Sequence, residues 1–170
     1  MVDVAAKPIT KRVATASSRI TMKASSADLI RNGGGRKGDV LAVARLAAIN
    51  ATKWTSHLIP LCHSIPNESV QIDFQWGRDQ AEEQEQIDCE HHLICRVTCT
   101  TTGKTGIEME AMTGASVGAL TVYDMLKGVD REMRIGPTQL EEKSGGQSGR
   151  FSREMGGNTP QSTREADPGS

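Results

Sequence analysis

Aromatic residues are nearly absent from this chain. Two Trp, two Phe and one Tyr make up 3% of its 170 residues. The interior must therefore be filled by Ala, Val, Ile, Leu and Met, and 170 residues suffice for one domain with a real core. Excess charge of either sign is also missing, with a formal net charge of -1. That balance argues against broad binding to nucleic acid, which needs a basic surface, though local basic clusters can still hold a small anion. No apolar run approaches membrane-spanning length, so no membrane partner is expected. The first thirty residues contain no apolar segment of the signal-peptide kind. Cysteine is present four times, at 62, 89, 95 and 99, in no disulfide framework. A reducing cytoplasmic location with free thiols is the expectation. Internal repeats are absent.

What is there reads as strands and helices in a simple order. Lys11 to Met22 is strand-like, and Asn32-Gly33-Gly34-Gly35 is expected to be a flexible loop. Asp39 has the chemistry of an N-cap for a helix from Val40 to Ser56, whose Ala44, Ala47, Ala48 and Ala51 predict close packing. Pro60 and Pro66 bracket a loop. Val70, Ile72 and Phe74 alternate with polar residues as a half-buried strand does. Gly77 to Gln86 is polar and reads as a solvated hairpin loop before a long strand, Ile87 to Thr101. Gly103 turns into a third strand, Thr105 to Met112; Thr113 caps a helix to about Val129, and a short strand covers Met133 to Glu142. The predicted class is α+β: a ferredoxin-like βαββαβ unit, its antiparallel sheet covered by helices on one face. The bare face must be solvated or covered by another subunit. Residues 1–151 form the expected single domain, and 152–170, poor in apolar residues, are expected to be disordered.

The chemistry concentrates between Thr105 and Lys127. On a strand, Glu108 and Glu110 point to the same side, and like charges so placed repel unless a cation, a shared proton or a substrate uses them. Asp124 and Lys127 sit three apart on a helix face, either an ordinary ion pair or an acid–base pair. Asp124 falls among Leu120, Val122, Tyr123, Met125 and Leu126, an apolar setting that would raise a carboxyl pKa. Cys62-His63 lies on the loop between prolines, where a histidine is less easily a core residue. Lys37-Gly38-Asp39 precedes a helix N-terminus, which favours anions, though a solvated loop lysine fits as well. Lys143 to Gly149 is either a linker or a glycine-rich anion clamp.

Two motif readings fail. Gly103-Lys104-Thr105 lacks the earlier glycine of a phosphate-binding P-loop, since position 98 is Thr98. Cys89, His91, His92, Cys95 and Cys99 match no paired zinc-ligand spacing, and Cys95, Val97 and Cys99 share one strand face as buried residues do. No metal or cofactor is expected.

Several segments resemble one family in the right order. MVDV (1–4), KGDV (37–40), ARLA (44–47), LIPLCH (58–63), GKTGIEMEA (103–111), TVYDM (121–125), IGP (135–137) and KSGGQSG (143–149) are similar to those of the MoaC-type cyclic pyranopterin monophosphate synthases of molybdenum cofactor biosynthesis. The resemblance runs from about Met1 to Phe151. It implies a lyase that converts (8S)-3′,8-cyclo-7,8-dihydroguanosine 5′-triphosphate to cyclic pyranopterin monophosphate with release of pyrophosphate. It also implies a ferredoxin-like homohexamer, a trimer of dimers, with sites at subunit interfaces. By motif match, Asp124 and Lys127 take catalytic positions. Leu61, Cys62 and His63, together with Glu108, Met109 and Glu110, take substrate-pocket positions, and Lys37 and Lys53 line the same pocket. The chain departs from the family at Ser64, in the longer acidic stretch 78–90, and at Gln147, where many members carry a second lysine. The competing readings are a regulatory ligand-binding module and a zinc hydrolase built on His63 and the cysteines.

Overall fold

A 13-residue strand, β1 (Thr10–Met22), runs through the middle of the computed structural model, which describes residues 1–33, 38–77 and 90–153. After it come α1 (Ala24–Arg31), α2 (Val40–Leu58), β2 (Ser69–Gly77), β3 (His91–Gly103), α3 (Glu108–Leu126), β4 (Arg134–Ser144) and β5 (Phe151–Ser152). The sheet order is β2-β3-β1-β4-β5, and every pairing is antiparallel. This is the ferredoxin-like α+β arrangement, extended at one edge by a two-residue strand. Pairing continues past position 151: Ser152 opposes Glu142, and the Arg153 amide donates to the Glu141 carbonyl at 2.7 Å. Lys37, the stretch 78–89 with Cys89 and the start of the expected Ile87 strand, and residues 154–170 lie outside the described residues.

Strand alternation assigns the two sheet faces. Ala14, Ala16, Ile20 and Met22 of β1 and Leu93, Cys95, Val97 and Cys99 of β3 point inward under α2 and α3. The opposite face carries polar contacts, with the Thr15 hydroxyl 2.9 Å from that of Thr98 and donating to Glu142 at 3.3 Å. The thiols of Cys95 and Cys99 are core groups, and burial pushes both pKa values up to about 12.

Helices α2 and α3 cross over a seam of small residues. Ala44, Ala48 and Ala51 of α2 face Ala111, Gly114, Ala115, Gly118 and Ala119 of α3, all of them buried. Gly114 lies against Thr52 and Ala48, and Gly118 against Ala48 and Ala44, so the helices run antiparallel. Asp39 caps α2 as expected, accepting from the Ala42 amide at 3.0 Å.

Two elements differ from the sequence expectation. No third strand covers Thr105 to Met112, and Thr113 is not a cap: α3 begins at Glu108, with Ile107 at the N-cap, and ends at Leu126. Ile107, Ala111, Gly114, Ala115, Gly118, Ala119, Val122 and Leu126 are its inward residues, a spacing of three and four that only a helix produces. Helix α1 was not expected either. Its own N-cap, Lys23, supplies no side-chain cap. The buried carboxylate of Asp130 does so from the far side of α3, accepting from the Lys23 amide at 3.0 Å and the Ser26 hydroxyl at 3.3 Å.

The seam yields a stability prediction. A Cβ at Gly118 would lie 2.7 Å from Cys95 Sγ and 3.3 Å from Ala48 Cβ, whereas one at Gly128 meets nothing within 4 Å. Gly118→Val should cost about 1–3 kcal/mol in urea denaturation at a fixed protein concentration. Gly128→Ala should stay within about 0.5 kcal/mol of the parent. Equal effects from the two would show that the seam is not tightly packed.

Candidate active site

The antiparallel crossing brings the end of α2 beside the start of α3. Past Leu58 the chain turns through Ile59, whose carbonyl accepts from the Cys62 amide at 3.1 Å. The following loop is tied to β3 by the Thr101 hydroxyl donating to the Pro66 carbonyl at 2.8 Å. Leu61, Cys62 and His63 thereby face Glu108, Met109 and Glu110 across an open cavity of about 300 Å³. A third wall comes from the N-terminal segment, through Val2, Val4 and Lys7. Lys104 Nζ holds that segment by donating to the Ala5 carbonyl at 2.6 Å, and the Lys7 amide closes a turn onto the Val4 carbonyl at 3.1 Å.

The two carboxylates do not share one strand face. They stand in the first turn of α3, where residues two apart are rotated by about 200°. Glu108 turns outward to Lys143 of β4, with Oε1 3.1 Å from Nζ. Glu110 turns inward and is only 3% exposed. Burial raises its pKa most; its own backbone amide opposes the rise, and the Glu108 charge adds to it. Both carboxylates sit at the positive end of the helix dipole, which Ile107 leaves without a side-chain cap. Burial, followed by the charge of Glu110, also raises the Cys62 thiol pKa, so it resists becoming a nucleophilic thiolate.

Asp124 and Lys127 are elsewhere. Sixteen residues separate Glu108 from Asp124, about 24 Å along α3. Asp124 Oδ1 and Lys127 Nζ pair at 2.7 Å, with their side chains 50% and 55% exposed. The hydrogen bond and charge of Asp124 raise the Lys127 pKa. The apolar setting expected for Asp124 is not built: Val122 and Leu126 turn into the core, Leu120 stands exposed, and Asp124 faces out. Lys53 is exposed on α2 and does not line the cavity. One chain therefore gathers Leu61, Cys62, His63, Glu108, Met109 and Glu110, and holds Asp124, Lys127 and Lys53 apart from them. The N-terminal segment and Lys143 were not assigned to the site from sequence. Their only signals were membership of the MVDV and KSGGQSG segments and, for Lys143, the alternative reading of Lys143 to Gly149 as a glycine-rich anion clamp.

Among the described residues no group of three or more His, Cys, Asp or Glu is arranged to hold a metal ion. No described helix is long and apolar enough to cross a membrane.

An α+β sheet domain with a carboxylate- and histidine-lined pocket at the mouth of a helix has the build of a small-molecule enzyme. The family model described as MoaC family matches residues 1–146, and the chain belongs to that family. It is 58% identical to a cyclic pyranopterin monophosphate synthase of Rhodopirellula baltica over 156 residues, 92% of this chain and 89% of the relative. Enzymes of the same name from Brevibacillus brevis and Thermomicrobium roseum are 50% and 49% identical. They cover 90% and 91% of this chain, and 89% and 87% of their own lengths.

Glu110 supplies a pH prediction. Its folded-state pKa is raised, so at low pH both states are protonated and the residue costs nothing. As pH climbs from about 4, the unfolded chain ionises first, and stability is lost until the folded-state carboxyl also ionises. The melting temperature of Glu110→Gln minus that of the parent should therefore increase from pH 4 to 8. A difference that shrinks over that range would mean that the fold favours the anion.

Proposed function

We propose that the chain works as its family does: a cyclic pyranopterin monophosphate synthase of molybdenum cofactor biosynthesis, a lyase. Its substrate is (8S)-3′,8-cyclo-7,8-dihydroguanosine 5′-triphosphate, and its products are cyclic pyranopterin monophosphate and pyrophosphate. The observation that carries the reading is the union of Leu61-Cys62-His63 with Glu108-Met109-Glu110 around one cavity, in a chain 58% identical to such a synthase.

Opening a purine-derived ring and rebuilding it as a pterin requires several proton transfers, which carboxylates and a lysine of tuned pKa can supply. Asp124 and Lys127 fill the acid–base role, and the six cavity residues bind the substrate. Lys37 and Lys53 add positive charge for the triphosphate. Loss of pyrophosphate to a ribose-derived hydroxyl is helped by cations that take up the charge of the leaving group. The enzyme works in the cytoplasm without a cofactor.

A site divided along 24 Å of one helix calls for a second chain. The protein assembles with itself, as a trimer of dimers, so that Asp124 and Lys127 of one protomer close the cavity of another. Surface composition supports such assembly. Val43, Leu46, Trp54 and Leu58 form an exposed apolar stripe along α2, and Leu120 stands exposed on the adjacent α3. A zinc hydrolase has no support in the core positions of Cys95 and Cys99.

The direct test is to incubate the protein with the cyclised GTP derivative, oxidise, and measure the fluorescent pterin. The parent should form it. Asp124→Asn keeps the side-chain shape and removes the base, so turnover should fall by at least about a hundredfold with substrate affinity within several-fold. The same variant treated as loss of an exposed ion pair would change stability by under about 0.5 kcal/mol and leave turnover intact. Near-normal turnover by folded Asp124→Asn would remove the acid–base assignment.

A further inference from the structure

Asp130 is a buried carboxylate that the proposed chemistry does not use. Only 2% of it is exposed, and it ties the end of α3 to another part of the fold. Oδ2 accepts from the Lys23 amide at 3.0 Å and the Ser26 hydroxyl at 3.3 Å, where β1 gives way to α1. Oδ1 accepts from the Glu132 amide at 3.1 Å, just ahead of β4. A carboxylate only accepts, and all three of these partners donate. A side-chain amide of the same shape would set a donor against at least one of them.

What Asp130 anchors is a short exposed turn. Leu126 and Asp130 are buried, and Lys127, Gly128 and Val129 between them are exposed. A Cβ at Gly128 would meet nothing within 4 Å. The turn has little packing of its own, so hydrogen bonds at its two ends set its place. At the first end the Leu126 carbonyl accepts from the Val129 amide at 2.8 Å and from the Asp130 amide at 3.0 Å, which gives a last-turn carbonyl of α3 its partners. At the far end stands the Asp130 carboxylate. The Tyr123 hydroxyl adds a strap, donating to the Arg131 carbonyl at 3.2 Å. Lys127 is the first residue of the turn, and its Nζ holds Asp124 Oδ1. Both side chains of that pair are about half exposed, so burial does not fix them.

We propose that Asp130 is a positioning residue for the Asp124–Lys127 pair: by anchoring the turn to the junction of β1 and α1, it fixes the end of α3 that presents the pair. The part the pair plays in the reaction rests on the function proposed above, while the anchor rests on the three hydrogen bonds and the unpacked turn. Asp130 acts on no reacting atom itself. Its effect passes through the last turn of α3, where a misplacement of about 1 Å is enough to cost about a hundredfold in rate.

Turnover in pterin formation, joined to amide hydrogen exchange, is the test. Asp130→Asn should lower kcat at least about tenfold with KM within several-fold, because the cavity residues are untouched. The same change in a Lys127→Ala background, followed in single turnover, should have little further effect, since a residue that acts through Lys127 then has nothing to position. Exchange should quicken at the amides of residues 126–130 in Asp130→Asn and stay parental in α2 and β3. Ile72→Val, a core truncation on the edge strand β2, should lower the melting temperature and leave kcat unchanged. Ser26→Ala removes one donor and keeps the carboxylate, so it should lower kcat by a smaller factor; it decides the matter if Asp130→Asn does not fold. Parental kcat in folded Asp130→Asn, or an equal fold-loss in the parent and Lys127→Ala backgrounds, would overturn the positioning role. In a parent that forms no pterin, quickened exchange confined to 126–130 would keep the anchor and reject the proposed reaction. Unchanged exchange there would reject the anchor whatever the parent makes.

Discussion

Everything at the site depends on how closely α2 and α3 approach. Alanine and glycine at 44, 48, 114, 115 and 118 leave no side chain to hold the helices apart, and the crossing is held at backbone distance. A close contact between rigid elements fixes direction as well as separation. The loop that leaves α2 at Leu58 therefore meets the first turn of α3, and His63 faces Glu110 without any long-range hydrogen bond between them. The same rigidity carries Asp124 and Lys127 away from the cavity. A straight helix cannot bring its two ends to one point, so the architecture that builds the cavity holds Asp124 and Lys127 apart from it.

Electrostatics then divides the work between the carboxylates of that first turn. They are two residues apart in sequence and differ in burial and in ion pairing. Glu108 is balanced by Lys143 and faces the solvent side of the mouth. Glu110 is buried, pushed toward its protonated form, and placed beside a thiol whose own ionisation it discourages. One helix turn thus offers an ion-paired carboxylate at the mouth and a buried one whose neutral form is favoured by its surroundings.

Much of the fold was legible in the sequence. The alternation of Val70, Ile72 and Phe74, the small inward residues of β3, the alanines of α2 and its Asp39 cap each depend on neighbours close in sequence. The misreading at Thr105 to Met112 has a definite cause. Ile107, Met109 and Ala111 fit a two-residue period, and only Gly114, Ala115 and Gly118 beyond them reveal a helix already under way. Helix α1 escaped notice because its cap, Asp130, comes from about a hundred residues downstream. Both the identities of the site residues and the grouping of 61–63 with 108–110 came from motif likeness. The cavity wall made by Val2 and Val4, the Lys143–Glu108 pair and the distance from Glu108 to Asp124 are products of tertiary structure.

The divided site can be examined by mixing two damaged chains. Glu110→Gln impairs the cavity half and Asp124→Asn the acid–base half. Each pure variant should be nearly inactive in pterin formation. If one protomer supplies the cavity and another supplies Asp124, random co-assembly in equal amounts rebuilds about a quarter of the sites intact. Recovery of about that fraction of parental activity is the expected result. A co-assembled mixture no more active than the two variants measured separately would contradict a site shared between chains.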